Sequence, residues 1–202
     1  MSQRRRLLLA ATALPWAAPA FASVSYPPVR PRPLVFPRDH GAHPEYRTEW
    51  WYLTGQLAAA SGPIGVQITF FRARTPIDPA NPSRFAAQQL VIAHAAIADP
   101  ARGSLLKDER VARAGFGVAQ ASEADTDVQL DRWRFRREAD GRYRCDVPAR
   151  GFTLRFAATP TQPLLLQGLN GFSQKGPRPE KASHFYTQPQ LQLDAQLEHE
   201  GK

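Results

Sequence analysis

The chain has 202 residues, 26 Lys+Arg against 18 Asp+Glu, 43% hydrophobic residues and a formal charge of +8. That length carries one domain with a self-sufficient core and not two large ones. A single cysteine, Cys145, excludes an internal disulfide framework and any Cys-rich zinc or iron–sulfur site, and no apolar run is long enough for a transmembrane helix.

Residues 1–22 read as an export signal. Arg4, Arg5 and Arg6 form a positive start, Leu7 to Ala20 an apolar stretch too short to span a bilayer, and Ala20-Phe21-Ala22 a small-residue cleavage site. Cleavage is expected after Ala22, giving a periplasmic or secreted protein. Gln3-Arg4-Arg5-Arg6-Leu7-Leu8 fits a twin-arginine route loosely, and the general secretory route stays open beside it. Losing those three arginines takes the formal charge from +8 to +5. The remaining basic residues are spread along the chain, so no nucleic-acid partner is expected.

Residues 23–45 hold six prolines and read as an extended arm. From Tyr46 the texture changes to short strands with turn punctuation. Tyr46–Ala58 is aromatic-rich. Ser61-Gly62-Pro63 turns the chain into Ile64–Arg72, where Ile64, Val66, Ile68 and Phe70 share one face. A loop follows from Thr75 to Ser83. Gln88–Ala98 is apolar on both faces and is expected to be buried on both, with Leu90, Ile92, His94 and Ala96 on one of them.

Residues 103–125 fit either a short helix or a loop. Val128–Arg137 alternates Trp133 and Phe135 with Arg132, Arg134 and Arg136, and Asp140-Gly141 signals a type I′ hairpin into Tyr143–Val147. Phe152–Phe156, Leu164–Gln167, Ser183–Thr187 and Gln190–Leu197 complete about nine strands. Their spacing fits an antiparallel sandwich or barrel. The alternation of Leu191, Leu193, Ala195 and Leu197 runs into Glu198-His199-Glu200-Gly201-Lys202 as if entering another hairpin, which reads as a piece of a longer protein.

The densest chemistry lies in residues 39–52. Trp50 and Tyr52 share a strand face, and Trp51 shares the other with Glu49 and Leu53. A carboxylate among aromatics suits a raised pKa, and a structural pair of Glu49 with an arginine suits the same residues. His40 and His43 at i, i+3 are weak metal ligands without a helix, and no metal or cofactor is expected. Gly171-Phe172-Ser173-Gln174-Lys175-Gly176 is one residue too long for a nucleophile elbow. In Ser183-His184-Phe185-Tyr186-Thr187, His184 and Tyr186 share a face.

Several segments together carry a resemblance. Pro37-Arg38-Asp39-His40-Gly41-Ala42-His43 leads into Glu49-Trp50-Trp51-Tyr52-Leu53-Thr54-Gly55. Gln67–Arg72 and Ala93–Asp99 follow, and then Gly171–Gly176 and Ala182–Tyr186. In order and type, over residues 36–197, these resemble the carotenoid 1,2-hydratases and AttH-like secreted proteins. The resemblance implies two lipocalin-like β-barrels in tandem, of which residues 46–202 would be the first, truncated before the second. It implies an apolar isoprenoid or lipid ligand. Members include proteins described as predicted secreted hydrolases, some encoded beside transporters.

Two functions follow as expectations. A hydratase would protonate an alkene and add water, needing a neutral carboxylic acid and aromatic faces for the cation. Glu49 is then the acid, His94 or His184 would position water, and Trp50, Tyr52, Phe70 and Tyr186 would line the pocket. A periplasmic lipid carrier, or an accessory partner of an ABC-type transporter, would use the same aromatics without the acid.

Overall fold

The computed structural model describes residues 24–60, 62–178 and 180–199. The expected export signal and its expected cleavage site fall outside the described residues, as do residues 200–202. All the sheets are antiparallel, as the strand spacing predicts. A four-stranded meander comes first: β1 (Thr48–Ala59), β2 (Gly62–Arg74), β3 (Gln89–Asp99) and β4 (Ser104–Arg113). The stretch left open between helix and loop is thus largely strand β4. The chain then crosses to a second sheet through β5 (Ala119–Ala121), β6 (Asp127–Leu130), β7 (Trp133–Arg137), β8 (Tyr143–Ala149) and β9 (Phe152–Pro160).

Four short strands follow. They are β10 (Leu165–Leu166), β11 (Phe172–Gln174), β12 (Ala182–His184) and β13 (Tyr186–Thr187), paired as β10 with β13 and β11 with β12. Finally β14 (Leu191–His199) adds to β9, so the second sheet runs β14-β9-β8-β7-β6-β5. The two large ladders do not join by hydrogen bonds among the described residues.

One core lies between them. Ile64, Val66, Ile68 and Phe70 of β2 point inward, with Val91, Ala93, Ala95 and Ile97 of β3, against Val128, Trp133, Val147 and Leu154 of the other sheet. Trp133 is fully buried. Its truncation would remove a payload worth roughly 3–5 kcal/mol. The expectation that β3 is buried on both faces is corrected. Val91, Ala93, Ala95 and Ile97 are buried, but His94 and Ala98 on the opposite face are exposed. The core layer lies between the two sheets, on the side of β3 that carries Val91, Ala93, Ala95 and Ile97.

The β7–β8 hairpin forms where Asp140-Gly141 places it. Only Gly141 has a positive φ there, at 86°, and its N–H bonds back to the Glu138 carbonyl at 2.9 Å. Type I′ geometry needs two positive-φ residues, so the turn is a longer loop closed through Gly141.

The proline-rich arm is extended, and it ends in a single 3-10 turn at Arg38–His40. That turn is pinned between the sheets. The Ala42 N–H donates to the Ser122 carbonyl at 2.7 Å. Gly41 sits so close to the β5–β6 loop that a Cβ there would lie 2.6 Å from the Glu123 backbone. The His40 carbonyl accepts from Trp51 Nε1 at 2.8 Å and from Thr126 Oγ1 at 3.1 Å. Residues 38–43 are therefore held by both sheets at once.

Candidate functional site

Among the described residues strand β1 pairs with β2 on one side, and β14 likewise pairs with β9 alone. The two edges approach near Gly55, where a Cβ would lie 3.3 Å from Leu193 Cδ1. Towards the start of β1 they part. The gap is a cleft of about 950 Å³ whose walls are β1, the proline-rich arm and residues 175–191. Tyr46, Trp50, Tyr52, His184, Phe185 and Tyr186 line it. Trp50 and Phe185 face each other at 6.3 Å between ring centroids, and Lys175 Nζ lies 4.4 Å from the Phe185 ring centre.

The pinned turn sends its side chains two ways. One way is a charged cluster. Asp39 accepts two hydrogen bonds from the Arg32 guanidinium, at 2.8 and 2.6 Å, and another from the Val35 N–H. His43 Nε2 meets Asp39 Oδ1 at 2.8 Å, and His43 Nδ1 meets Glu49 Oε1 at 2.7 Å. Glu49 also accepts from the His43 N–H and from Arg72 Nε at 2.7 Å. Arg72 is 2% exposed and spends its other donors on Gln89 Oε1 and the Tyr46 carbonyl.

The protonation states follow. Ionised carboxylates only accept, so an imidazole between two of them carries a proton on each nitrogen. The Glu49 hydrogen bond outweighs burial and, with Asp39, raises the His43 pKa. Burial pushes the Glu49 carboxyl up, but the His43 bond, the Arg72 charge and the His43 backbone N–H together hold it below its ordinary value. Asp39 is likewise pushed up by burial and pulled further down by Arg32, the Val35 N–H and His43. The two carboxylates are met by His43, the two arginines and the Val35 and His43 backbone N–H groups.

The other way is neutral. His40 Nδ1 lies 2.9 Å from the Tyr186 hydroxyl, across 146 residues of sequence. The Phe36 ring packs 4.5 Å from the imidazole and edge-on to Tyr186 at 5.2 Å. Burial, helped by the Arg137 charge, pushes the His40 pKa down to about 4. Burial raises the Tyr186 hydroxyl far above its usual range. Both are uncharged at neutral pH.

The residues singled out from the sequence divide as follows. Glu49, Trp50, Tyr52, His184 and Tyr186 line the cleft. Glu49 is in the arginine pair that stood beside the acid reading, ionised rather than neutral. His184 Nε2–H donates to the Arg30 carbonyl, 2.8 Å away, and burial lowers its pKa. Phe70 is fully buried opposite Trp51 and Ala93, away from the cleft. His94 stands on the outer face, paired with Thr69 and Glu109, its ring 5.5 Å from Phe71. Among the described residues no group of His, Cys, Asp or Glu is arranged to hold a metal ion.

Arg72, Asp39, His43 and the His40–Tyr186 pair carry the site's chemistry without having been assigned it. Arg72 had a signal: period two puts it on the core face with Phe70, and a buried guanidinium demands a carboxylate. The His40–Tyr186 pair had none, since nothing local links residues so far apart.

A two-sheet antiparallel fold with a cleft at the parted edges, lined by aromatics around one pinned turn, defines an all-β protein of the lipocalin-like kind. The AttH-like family profile matches residues 27–202, and the chain belongs to the AttH-like family. It is similar to the crystal structure of a protein assigned as AttH in Nitrosomonas europaea, with 50% sequence identity and a TM-score of 0.78. The match covers 87% of this chain and 53% of that one, so this chain spans about half the length of that relative. Among curated proteins, no relative matches the chain.

Proposed function

We propose that this AttH-like chain is an exported protein that binds an apolar isoprenoid or lipid in the cleft beside β1. The observation that carries the reading is the cleft itself, about 950 Å³ in volume and walled by Trp50, Tyr52, Phe185 and Tyr186. Concave, aromatic-lined spaces of this size suit a single small ligand. The likeness to carotenoid 1,2-hydratases supplies the isoprenoid as ligand class. Residues 1–22, read as an export signal, support a ligand outside the cytoplasm, where a carrier would serve as the accessory partner of a membrane transporter.

The geometry favours binding over alkene protonation by Glu49. Protonating an isolated alkene needs a carboxyl group kept neutral. Glu49 is held ionised by His43 and Arg72, and its oxygens are occupied by their donors.

The test is mass spectrometry of an organic extract of the purified chain after incubation with a mixed isoprenoid and lipid pool. Bound, unchanged ligand is the expected result. A product one water heavier than a bound polyene would replace the carrier reading by hydration, and an empty extract would overturn ligand binding.

A further inference from the structure

The cleft is apolar along most of its length but not at the pinned turn. His40 is 5% exposed, lines the cleft, and hydrogen-bonds there through Nδ1 to the Tyr186 hydroxyl at 2.9 Å. Among the described residues no protein group hydrogen-bonds to its Nε2. Nε2 is not one of the atoms sealed inside the protein without a partner, so it opens to the cleft.

The imidazole is not free to turn away. Its backbone carbonyl is fixed by Trp51 and Thr126, and Phe36 covers the ring.

Proton counting says what the pair lacks. A neutral imidazole carries one N–H and a phenol one O–H. One of these two protons lies between His40 Nδ1 and Tyr186. If Tyr186 donates, His40 Nε2 carries the remaining N–H. If His40 donates from Nδ1, the Tyr186 hydroxyl proton is left to Thr126, which also meets that hydroxyl, and Nε2 is an acceptor. In either tautomer His40 Nε2 is left to a third partner, as a donor in the first and an acceptor in the second, and the pair carries no net charge.

We infer that His40 and Tyr186 form a subsite for one neutral oxygen function of the ligand, a hydroxyl or a carbonyl. This rests on the ligand-binding reading and narrows it from apolar lipids in general to oxygenated ones. A hydrocarbon would leave the pair unmet. A carboxylate would bring a charge among Phe36, Trp51 and Tyr186, in the part of the cleft where burial opposes charge. The nearby charged cluster gives it no counter-ion, because Arg32 and Arg72 already serve Asp39 and Glu49.

The experiment uses the purified chain and three probes with one carbon skeleton: a C20 isoprenoid alcohol, the matching hydrocarbon and the matching carboxylic acid. Affinity is read at pH 7 from quenching of the cleft tryptophan fluorescence. The alcohol is expected to bind about tenfold tighter than the hydrocarbon, as one well-met buried hydrogen bond implies. Tyr186→Phe and His40→Leu should each bring the alcohol-to-hydrocarbon ratio to about one. Circular dichroism melting checks that each variant folds, and either folded variant suffices.

Equal binding of alcohol and hydrocarbon by the native chain would overturn the subsite while leaving lipid binding in place. Tightest binding of the acid would overturn it in favour of a cationic site, with Lys175 and Lys181 at the rim as its source. An unchanged ratio in a folded variant would also overturn it. Failure of all three probes to bind would overturn the ligand-binding reading itself.

Discussion

His40 and His43 sit three residues apart on one pinned turn, and they end in opposite electrostatic states. His43 is clamped between Asp39 and Glu49 and is held as a cation. His40 meets a phenol and a benzene ring and is held neutral. Burial is common to both. What separates them is whether carboxylates arrive with the imidazole. The charged side of the turn is a closed set, its donors spent on Asp39, Glu49, Gln89 and backbone carbonyls. The neutral side keeps hydrogen-bonding capacity for something else. A buttress and a binding group can thus be built from the same residue type on the same turn.

The largest effect should come from opening the closed set. Arg72→Met removes a buried guanidinium, leaves Gln89 Oε1 and the Tyr46 carbonyl without their donor, and leaves Glu49 with His43 alone. Breaking a buried pair from one side costs about 3–5 kcal/mol. Urea unfolding of the variant should show that loss. A loss under 1 kcal/mol would mean that the cluster does not hold the turn in place.

The two histidines should respond to pH in opposite senses. His43 has its folded pKa above the ordinary 6.5, so its contribution is whole below pH 6.5 and is lost as pH rises through the folded value. His40 has its folded pKa lowered to about 4. Its contribution is whole above pH 6.5 and is lost as pH falls towards about 4, because the unfolded chain takes up the proton first. Asp39 and Glu49, both lowered, contribute fully above their ordinary carboxylate values and lose that as pH falls further.

The cost of His43→Gln should therefore shrink from pH 6 to pH 9. The cost of His40→Gln should shrink from pH 7 to pH 4, by about 3 kcal/mol at most. Unfolding free energies across that pH range read both slopes. Slopes of the same sign would end the contrast between the two sides of the turn.

Gly41→Ala should weaken both sides together. The added methyl meets the Ser122–Glu123 backbone, which has no flexible side chain to move aside. Crowding of this kind costs about 1–3 kcal/mol. If the turn shifts to make room, the pH slopes of both histidines should flatten in a Gly41→Ala background.

Much of the fold was legible because strands announce themselves by alternation. The one strand expected over Val128–Arg137 is a hairpin, β6 and β7 paired antiparallel about Asp131-Arg132, but Trp133–Arg137 shows its core face, Trp133 and Phe135, and its arginine face in the bare sequence. β3 did not, since Ala and Ile repeat on both of its faces and only the stacking of sheets decides which is covered. The site was half legible. Arg72 stands out on a core face, and Glu49 beside aromatics stands out too. Which of the two fates awaited Glu49 depended on Arg72, a cross-strand partner 23 residues away. The His40–Tyr186 pair depends on the arm and a late strand meeting across the whole chain, which periodicity does not encode.

The smallest expected effect belongs to His94, and it tests that same limit. The alternation that puts Tyr52, Thr69, His94 and Glu109 in one cross-strand row also puts the row outside. Tyr52 still reaches the cleft because β1 is an edge strand and the cleft wraps round it. His94 is two strands further in, so its outward position takes it away from the cleft. His94→Ala should change stability by less than about 0.5 kcal/mol, as surface substitutions do. It should leave cleft binding of an isoprenoid alcohol, read by tryptophan quenching, unchanged. A clear loss of binding would place the functional surface on the outer face of the four-stranded sheet. The apolar row Trp50, Phe71 and Ile92 would then be the binding surface, and the turn that separates His40 from His43 would be scaffold on both its sides.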